Sequence, residues 1–377
     1  MKLRQPSVDL HGDYAAWAIR HFPLARVNLA RAGLSLPAHA APPAGPIDNV
    51  APSFDVLVEC IAKHSGVHPS RAVPALGATH ALWLACACIL RPGDHVLVES
   101  PGYDAMSRIP RRLGAEVRLF ERRADAQYDL DSDALRSMIT PRTRAVIISN
   151  LHNPSGALLT TDRLREIAVM LESFGIGLIV DEVYGNFHSD VESSACAIGG
   201  NVVAVGALSK THGLGGARAG WLCADEDIVS AALSLLRDTL GDPYPPAQCA
   251  AAVRAFSQVN SIEMGVRDSL LSRRRKITSW LDGRPSWAAH HAEVGPFSWV
   301  VLPEPDDLTA SIEAGVSRFG VLLAPGSFFG IRNAFRISWT ASEESIQQAI
   351  PQLDLMFVAR PNTRRSIVAS KNSNVQR

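Results

Sequence analysis

The stretch Asn201–Trp221, NVVAVGALSKTHGLGGARAGW, decides how the rest of the chain is read. Val202, Val203 and Val205 are apolar and β-branched, the pattern of a strand buried on both faces. That strand runs into Ser209-Lys210 and then into a loop dense in glycine (Gly213, Gly215, Gly216, Gly220). A cation at the mouth of a buried strand must be paired, neutralised by a lowered proton affinity, or covalently occupied. Arg218 follows across a loop whose glycines let the backbone fold back closely. One amine and one fork-shaped phosphate binder thereby face the same space.

Pyridoxal 5'-phosphate (PLP) needs both groups, an amine to form a Schiff base with its aldehyde and an anion site for its phosphate. The segment reads SK-x-x-G-x-x-G-x-R-x-G-W. It resembles the cofactor-lysine motif of the class I/II aminotransferases, the fold-type I PLP enzymes. The bland reading of the same residues is a surface lysine and a turn. The resemblance implies a mostly parallel central sheet flanked by helices plus a smaller α+β domain. It further implies a homodimer whose substrates are amino acids and keto acids, with PLP carried on Lys210.

Composition agrees with an enzyme of that size. The 377 residues can bury a sizeable core, and 47 % apolar with 6 % aromatic residues suits an α/β protein built on Ala, Val and Leu. Lys plus Arg (37) equal Asp plus Glu (37), so no charge excess recruits nucleic acid or an anionic membrane. The six cysteines lie mostly in apolar runs without a C-x-x-C pair and read as thiols of a reducing compartment. Cys86-Ala-Cys88 has no His or Cys cluster beside it, so no metal site is expected. With no signal-type apolar core and no long apolar run, a cytoplasmic protein is expected.

Strand and helix patterns alternate through the first two thirds, which argues for parallel strands with crossover helices. Val73-Pro-Ala-Leu-Gly77-Ala78-Thr79 leads into a helix, and a glycine turn opening a helix is a ready anion site as well as an ordinary small-residue cap. Tyr103 follows the strand His95–Val98, at the end where open α/β sheets gather ligands. Asn153-Pro-Ser-Gly156 is a turn by its own chemistry. Gly177-Leu-Ile-Val-Asp181 sets a carboxylate at the end of an apolar strand, where an unpaired charge is costly; a pyridinium nitrogen would satisfy it, and so would a following helix. In Ala334-Phe-Arg336-Ile-Ser-Trp339 the apolar residues share one face and Arg336 takes the other.

The resemblance extends over residues 47 to 355 through five separated motifs. It implies that Gly77, Ala78 and Thr79 form a second phosphate-holding element beside Ser209, Lys210 and Arg218. It implies that Tyr103 stacks on the ring, that Asn153 and Tyr184 share the ring phenolate, and that Arg336 clamps the substrate α-carboxylate. The expected division is an arm and part of the small domain at 1–46, a large PLP-binding domain at 47–243, a small domain at 244–360 and a disordered polar tail at 361–377. The arm, with its proline-rich PAHAAPPAGP at 37–46, is implied to reach a partner subunit.

Two departures bear on function. Ala207 stands where the family commonly has Ser or Thr, and Ile47-Asp48-Asn49-Val50-Ala51 lacks the tyrosine expected near residue 48. The leading expectation is transamination of an α-amino acid, with Lys210 moving the α-proton. The runner-up is elimination, replacement or cyclisation; the Asn-Leu-Ala-Arg-Ala-Gly33 entry and His152-Asn-Pro-Ser-Gly156 are similar to capreomycidine synthase-like cyclases. A PLP-binding DNA regulator would need a helix-turn-helix domain for which 46 residues leave no room.

Overall fold

The computed structural model describes residues 13–34, 53–187, 194–241, 244–291 and 295–358. The proline-rich run, the position near residue 48 and the tail after residue 361 lie outside the described residues.

The chain begins with α1 (Tyr14–His21), whose cap residue Asp13 accepts from the Ala15 and Ala16 amides, and continues into β1 (Val27–Asn28). After α2 (Phe54–Ser65), strands and helices alternate: β2 (Ala72–Leu76), α3 (Ala78–Ile89), β3 (His95–Ser100), α4 (Asp104–Arg112), β4 (Glu116–Glu121), α5 (Ser132–Ser137), β5 (Thr143–Ser149), α6 (Thr161–Glu172) and β6 (Gly177–Asp181). β7 (Val202–Ala207), β8 (Ala219–Cys223) and α7 (Glu226–Leu240) complete the large sheet and its cover. The remainder comprises α8 (Pro246–Phe256), α9 (Val259–Asp282), β9 (Ala288–His291), β10 (Phe297–Val301), α10 (Thr309–Phe319), β11 (Val321–Leu322), β12 (Ala324–Pro325), β13 (Ala334–Ser338) and α11 (Glu343–Val358).

The large sheet has seven strands in the order β2-β8-β7-β6-β5-β3-β4. Only β8 runs against its neighbours, pairing antiparallel with both β2 and β7. Val96–Val98, Ala145–Ile148, Leu178–Val180 and Val202–Val205 are buried, as continuous apolar strands covered on both faces must be. Because β2, β3, β5, β6 and β7 are parallel, their carboxyl ends share one edge, and the reversal of β8 brings its amino end to that edge too. A four-stranded antiparallel sheet, β12-β13-β10-β9, forms the second layer system.

Two apolar clusters follow this division, one around the large sheet and one containing Trp299, Phe335, Ile337 and Trp339. The first cluster continues past the expected boundary at residue 243, taking in Tyr244, Cys249, Ala252, Ala255 and Val259, so α8 packs with the large sheet. The described part of the expected arm packs on its own chain. β1 pairs parallel with β11, and Trp17, Val27 and Leu29 join the second cluster. The basic run Arg273–Lys276 lies on α9, where Lys276 meets Glu343 at 3.5 Å, as a solvated helix face does.

Candidate active site

The shared edge of the large sheet opens onto a cleft of about 540 Å³, within the range of small-molecule sites. The ends of β2, β6, β7 and β8 and the loops after β3 and β5 deliver groups to it. β2 ends at Gly77, whose φ of 88° caps α3, so the first-turn amides of Ala78 and Thr79 face the cleft side without intrahelical acceptors. Arg218, immediately before β8, donates from Nη2 to the Leu76 carbonyl at 2.7 Å. Its guanidinium lies so close to Gly77 that a Cβ there would sit 2.6 Å from Nη2. A Cβ on Gly220 would meet the Gly77 Cα at 2.4 Å, so β8 and the α3 turn approach as only glycine permits. The result is a helix N-terminus and an arginine beside each other, an anion site that carries no anion-bearing side chain of its own.

Asp181 ends β6 and is 7 % exposed. Its Oδ1 accepts the Val183 amide at 3.0 Å. Burial pushes its carboxyl up to about 6, against the opposing pulls of that amide and of the Lys210 charge. Lys210 follows β7 by way of Ser209 and lines the same cleft. Desolvation, then the charges of Arg336 and Arg31, bring its ammonium down to about 8, with Asp181 pulling the other way. An amine whose proton affinity is lowered toward physiological pH is a better nucleophile and base than an ordinary lysine.

Asn153, Tyr103 and Tyr184 also line the cleft. The Asn153 amide donates to Ser149 Oγ at 2.9 Å, and Ser149 in turn bonds Glu99, whose carboxylate is paired with Arg122 at 2.9 Å in the interior. A buried polar chain thereby fixes the turn that carries Asn153. Asn153 Oδ1 accepts from Arg336 Nη1 at 2.6 Å. Tyr184 is buried edge-on against Phe297, and burial raises its phenol to about 12. Arg336, on β13, arrives from the small sheet; its guanidinium is packed between Phe297 and Phe329, 4.9 and 5.1 Å from their ring centres. Its Nε is buried without a hydrogen-bond partner among the described residues, a donor that an incoming carboxylate would satisfy.

All the candidate residues named from the sequence therefore meet in one cleft: Gly77, Ala78, Thr79, Tyr103, Asn153, Asp181, Tyr184, Ser209, Lys210, Arg218 and Arg336. Tyr14 and Arg31 lie there as well and were not anticipated. Tyr14 Oη donates to the Ala30 carbonyl at 3.1 Å and accepts from Arg336 Nη2 at 3.3 Å. No motif flags it; its one sequence signal is a phenol on an otherwise apolar helix face. The loop carrying Arg31 is pressed on the lysine, since the Leu34 amide donates to the Lys210 carbonyl at 2.9 Å and a Cβ on Gly33 would lie 3.0 Å from Lys210 Cδ. Among the described residues no group of His, Cys, Asp and Glu could hold a metal ion, and no helix is long and apolar enough to cross a membrane. Ala207 ends β7 with a methyl where a hydroxyl was looked for.

The donor set fits PLP: a recessed amine, a buried carboxylate in need of a cationic partner, and an anion cradle whose glycines admit no side chain. Comparison with known proteins agrees. The chain is 26 % identical over 301 residues to an aspartate aminotransferase of Bacillus sp. (strain YM-2), covering 76 % of each chain. It is 28 % identical over 280 residues to capreomycidine synthase of Streptomyces vinaceus, covering 73 % of this chain and 71 % of that one. In fold it matches the PLP-dependent cyclase OrfR with a TM-score of 0.83 at 24 % identity, over 96 % of this chain and 100 % of the other. Residues 49–353 match the family model described as aminotransferase class I and II. The chain belongs to the class I and II aminotransferase family and is a PLP-dependent enzyme of fold type I.

Proposed function

We propose that the protein is an aminotransferase acting on an α-amino acid, with Lys210 as the group that moves the α-proton. The observation that carries this reading is the placement of the buried Asp181 at the end of β6 and of Lys210 beyond the end of the adjacent strand β7, where both line one cleft. Bound PLP supplies a carbonyl that condenses with amines and a protonated ring that draws electrons from the substrate α-carbon. Asp181 would hold the ring nitrogen protonated; Arg218, Ser209, Gly77, Ala78 and Thr79 would hold the phosphate; Asn153 and Tyr184 would hold the ring oxygen, and Tyr103 would back the ring.

Arg336 orients the substrate through its carboxylate, a fork geometry that fixes both position and rotation about the α-carbon. Lys210 Nζ, depressed toward pH 8, accepts the α-proton and is acidic enough to give it up again. The apolar walls made by Leu82, Val183 and Tyr184 restrict water around that exchange. Two subunits are proposed to assemble as a homodimer, and the free cysteines support a reducing, cytoplasmic setting.

Lys210→Ala is expected to give a protein on which borohydride leaves no covalently attached PLP and which reacts with amino donors about 10²–10⁴-fold more slowly. Turnover at the wild-type rate would remove Lys210 from the mechanism. Similarity to capreomycidine synthase favours a second reading, in which the same α-proton transfer leads to elimination or cyclisation. Mixing the PLP form with an amino acid separates the two. Transamination leaves pyridoxamine phosphate and a keto acid, whereas cyclisation or elimination returns PLP.

A further inference from the structure

Tyr128 belongs by sequence to the large domain and by packing to the small one. It lies in the loop between β4 and α5, yet it is 4 % exposed within the cluster of Trp299, Phe335 and Trp339. Among the described residues from 53 to 259 it is the one buried member of that cluster. The backbone bends to bring it there. Gln127 and Tyr128 are both left-handed, at φ 54° and 59°, a conformation that residues other than glycine seldom adopt. Two in succession hold only where the surroundings fix them. Here the Tyr128 amide donates to the Arg123 carbonyl at 2.8 Å, and Arg122 Nε donates to the Tyr128 carbonyl at 2.6 Å.

Both sides of this tyrosine lead to Arg336. On the large-domain side Arg122 pairs with Glu99 Oε2 at 2.9 Å, and Glu99 Oε1 accepts the Ser149 amide at 2.7 Å. Ser149 Oγ accepts the Asn153 amide, and Asn153 Oδ1 accepts from Arg336. His152, next to Asn153, stands against the Tyr128 ring with centroids 5.8 Å apart, while its own nitrogens bond Ser155 and the Pro101 carbonyl. On the small-domain side the Tyr128 ring meets His290 edge-on at 5.1 Å, and the Trp299 indole hydrogen-bonds its phenol. Register sets His290 of β9 opposite Trp299 of β10, and Trp299 opposite Arg336 of β13. Residues opposite each other on antiparallel strands share a face, so the three form a row that starts under Tyr128 and ends in the guanidinium. Tyr128 itself does not line the cleft.

We propose that Tyr128 is a positioning residue for substrate binding: wedged between His152 and the row of His290 and Trp299, it sets where Arg336 stands relative to the large sheet and hence where the α-carboxylate is held. This rests on the reading above, in which Arg336 binds that carboxylate. A smaller side chain leaves a gap between the domains that the small sheet can close only by moving, and Arg336 moves with its row. Arg218, the Gly77 turn and Asp181 belong to the large sheet, so PLP is held as before.

The test titrates butyrate, an unreactive monoacid, into the PLP-loaded protein and follows the absorbance of the chromophore on Lys210. Tyr128→Leu is expected to weaken butyrate about ten-fold, while PLP affinity stays within about two-fold of wild type. In turnover of the best amino donor, KM is expected to rise with kcat changed far less. Tyr128→Phe keeps the ring between the two histidines and is expected to recover most of the affinity. Tyr128→Met, whose flexible chain fills irregular gaps, takes the place of the Leu variant if that one does not fold. In an Arg336→Lys background the clamp is already impaired, so Tyr128→Leu is expected to add less than about two-fold. Wild-type butyrate affinity in the folded Leu or Met variant, equal losses for butyrate and PLP, or full additivity with Arg336→Lys would overturn the assignment. An Arg336→Lys protein that binds butyrate as the wild type does fails the reading of Arg336 itself. A loss there, with Tyr128→Leu silent, fails only the role of Tyr128.

Discussion

Asp181 and Lys210 are both held away from their ordinary proton affinities by the same cause, burial, and the consequences for stability have opposite signs. Asp181 rises from 3.8 to about 6, so the folded state binds its proton more tightly than the unfolded chain does. Stability of the PLP-free protein therefore falls as pH climbs through that interval, and the whole penalty stands above it. Lys210 drops from 10.5 to about 8, so the unfolded chain holds the proton longer and stability is regained as pH rises between those values. These two groups together put the least stable range of the PLP-free protein between about pH 6 and 8. Asp181→Asn keeps the acceptor for the Val183 amide and removes the buried charge. It is expected to stabilise the PLP-free protein at pH 7.5 by on the order of 3 kcal/mol while destroying activity. Denaturant titrations at several pH values, with an activity assay, check both halves; a destabilised variant would contradict the electrostatic account. Tyr14 is the second residue-level case. Tyr14→Phe removes the hydroxyl that braces Arg336, and KM for the amino acid is expected to rise about two- to ten-fold with kcat less affected, as steady-state kinetics would show.

At the scale of elements, the site depends on how closely β8 passes the turn between β2 and α3. Register pairs Ala75 with Gly220 and Leu76 with Ala219, which brings Arg218 over the helix end. Gly220→Ala would drive a methyl into the Gly77 backbone, and that contact is between two main chains with no flexible side chain to yield. The strands must part. Urea unfolding is expected to show a loss of about 1–3 kcal/mol, and PLP titration a weaker affinity, because the α3 amides move with the turn. Unchanged PLP affinity would place the phosphate elsewhere. α1 works differently. It reaches the cleft through contacts with α4, where the Tyr14 amide donates to Asp104 at 3.1 Å and Arg108 bridges to Asp13 at 2.8 Å. A short helix of the small domain is thus latched to the large one beside Arg336.

For the whole molecule, the cleft draws its groups from two apolar cores, Asp181 and Lys210 from the large sheet and Arg336 from the small one. A cofactor bound only by the folded state should raise the thermal midpoint with its free concentration. At a hundred times Kd the gain is about 2.7 kcal/mol. Thermal scans across a PLP series check this, and a midpoint insensitive to PLP would contradict a preformed site. The sequence by itself determined the strand order of chemistry along the chain: an apolar run ending in Asp181, another ending near Lys210, a glycine turn opening α3, and alternation that requires a parallel sheet. Those features were legible because each is local, set by periodicity, by glycine, or by a charge abutting apolar residues. The tertiary structure alone decided that α8 belongs with the large sheet, that β1 pairs with β11, and that Tyr14 and Arg31 enter the site. Each of these depends on contacts between residues far apart in sequence, such as Tyr14 with Arg336 or Val27 with Val321, and no local pattern encodes a pairing whose partner lies some three hundred positions away.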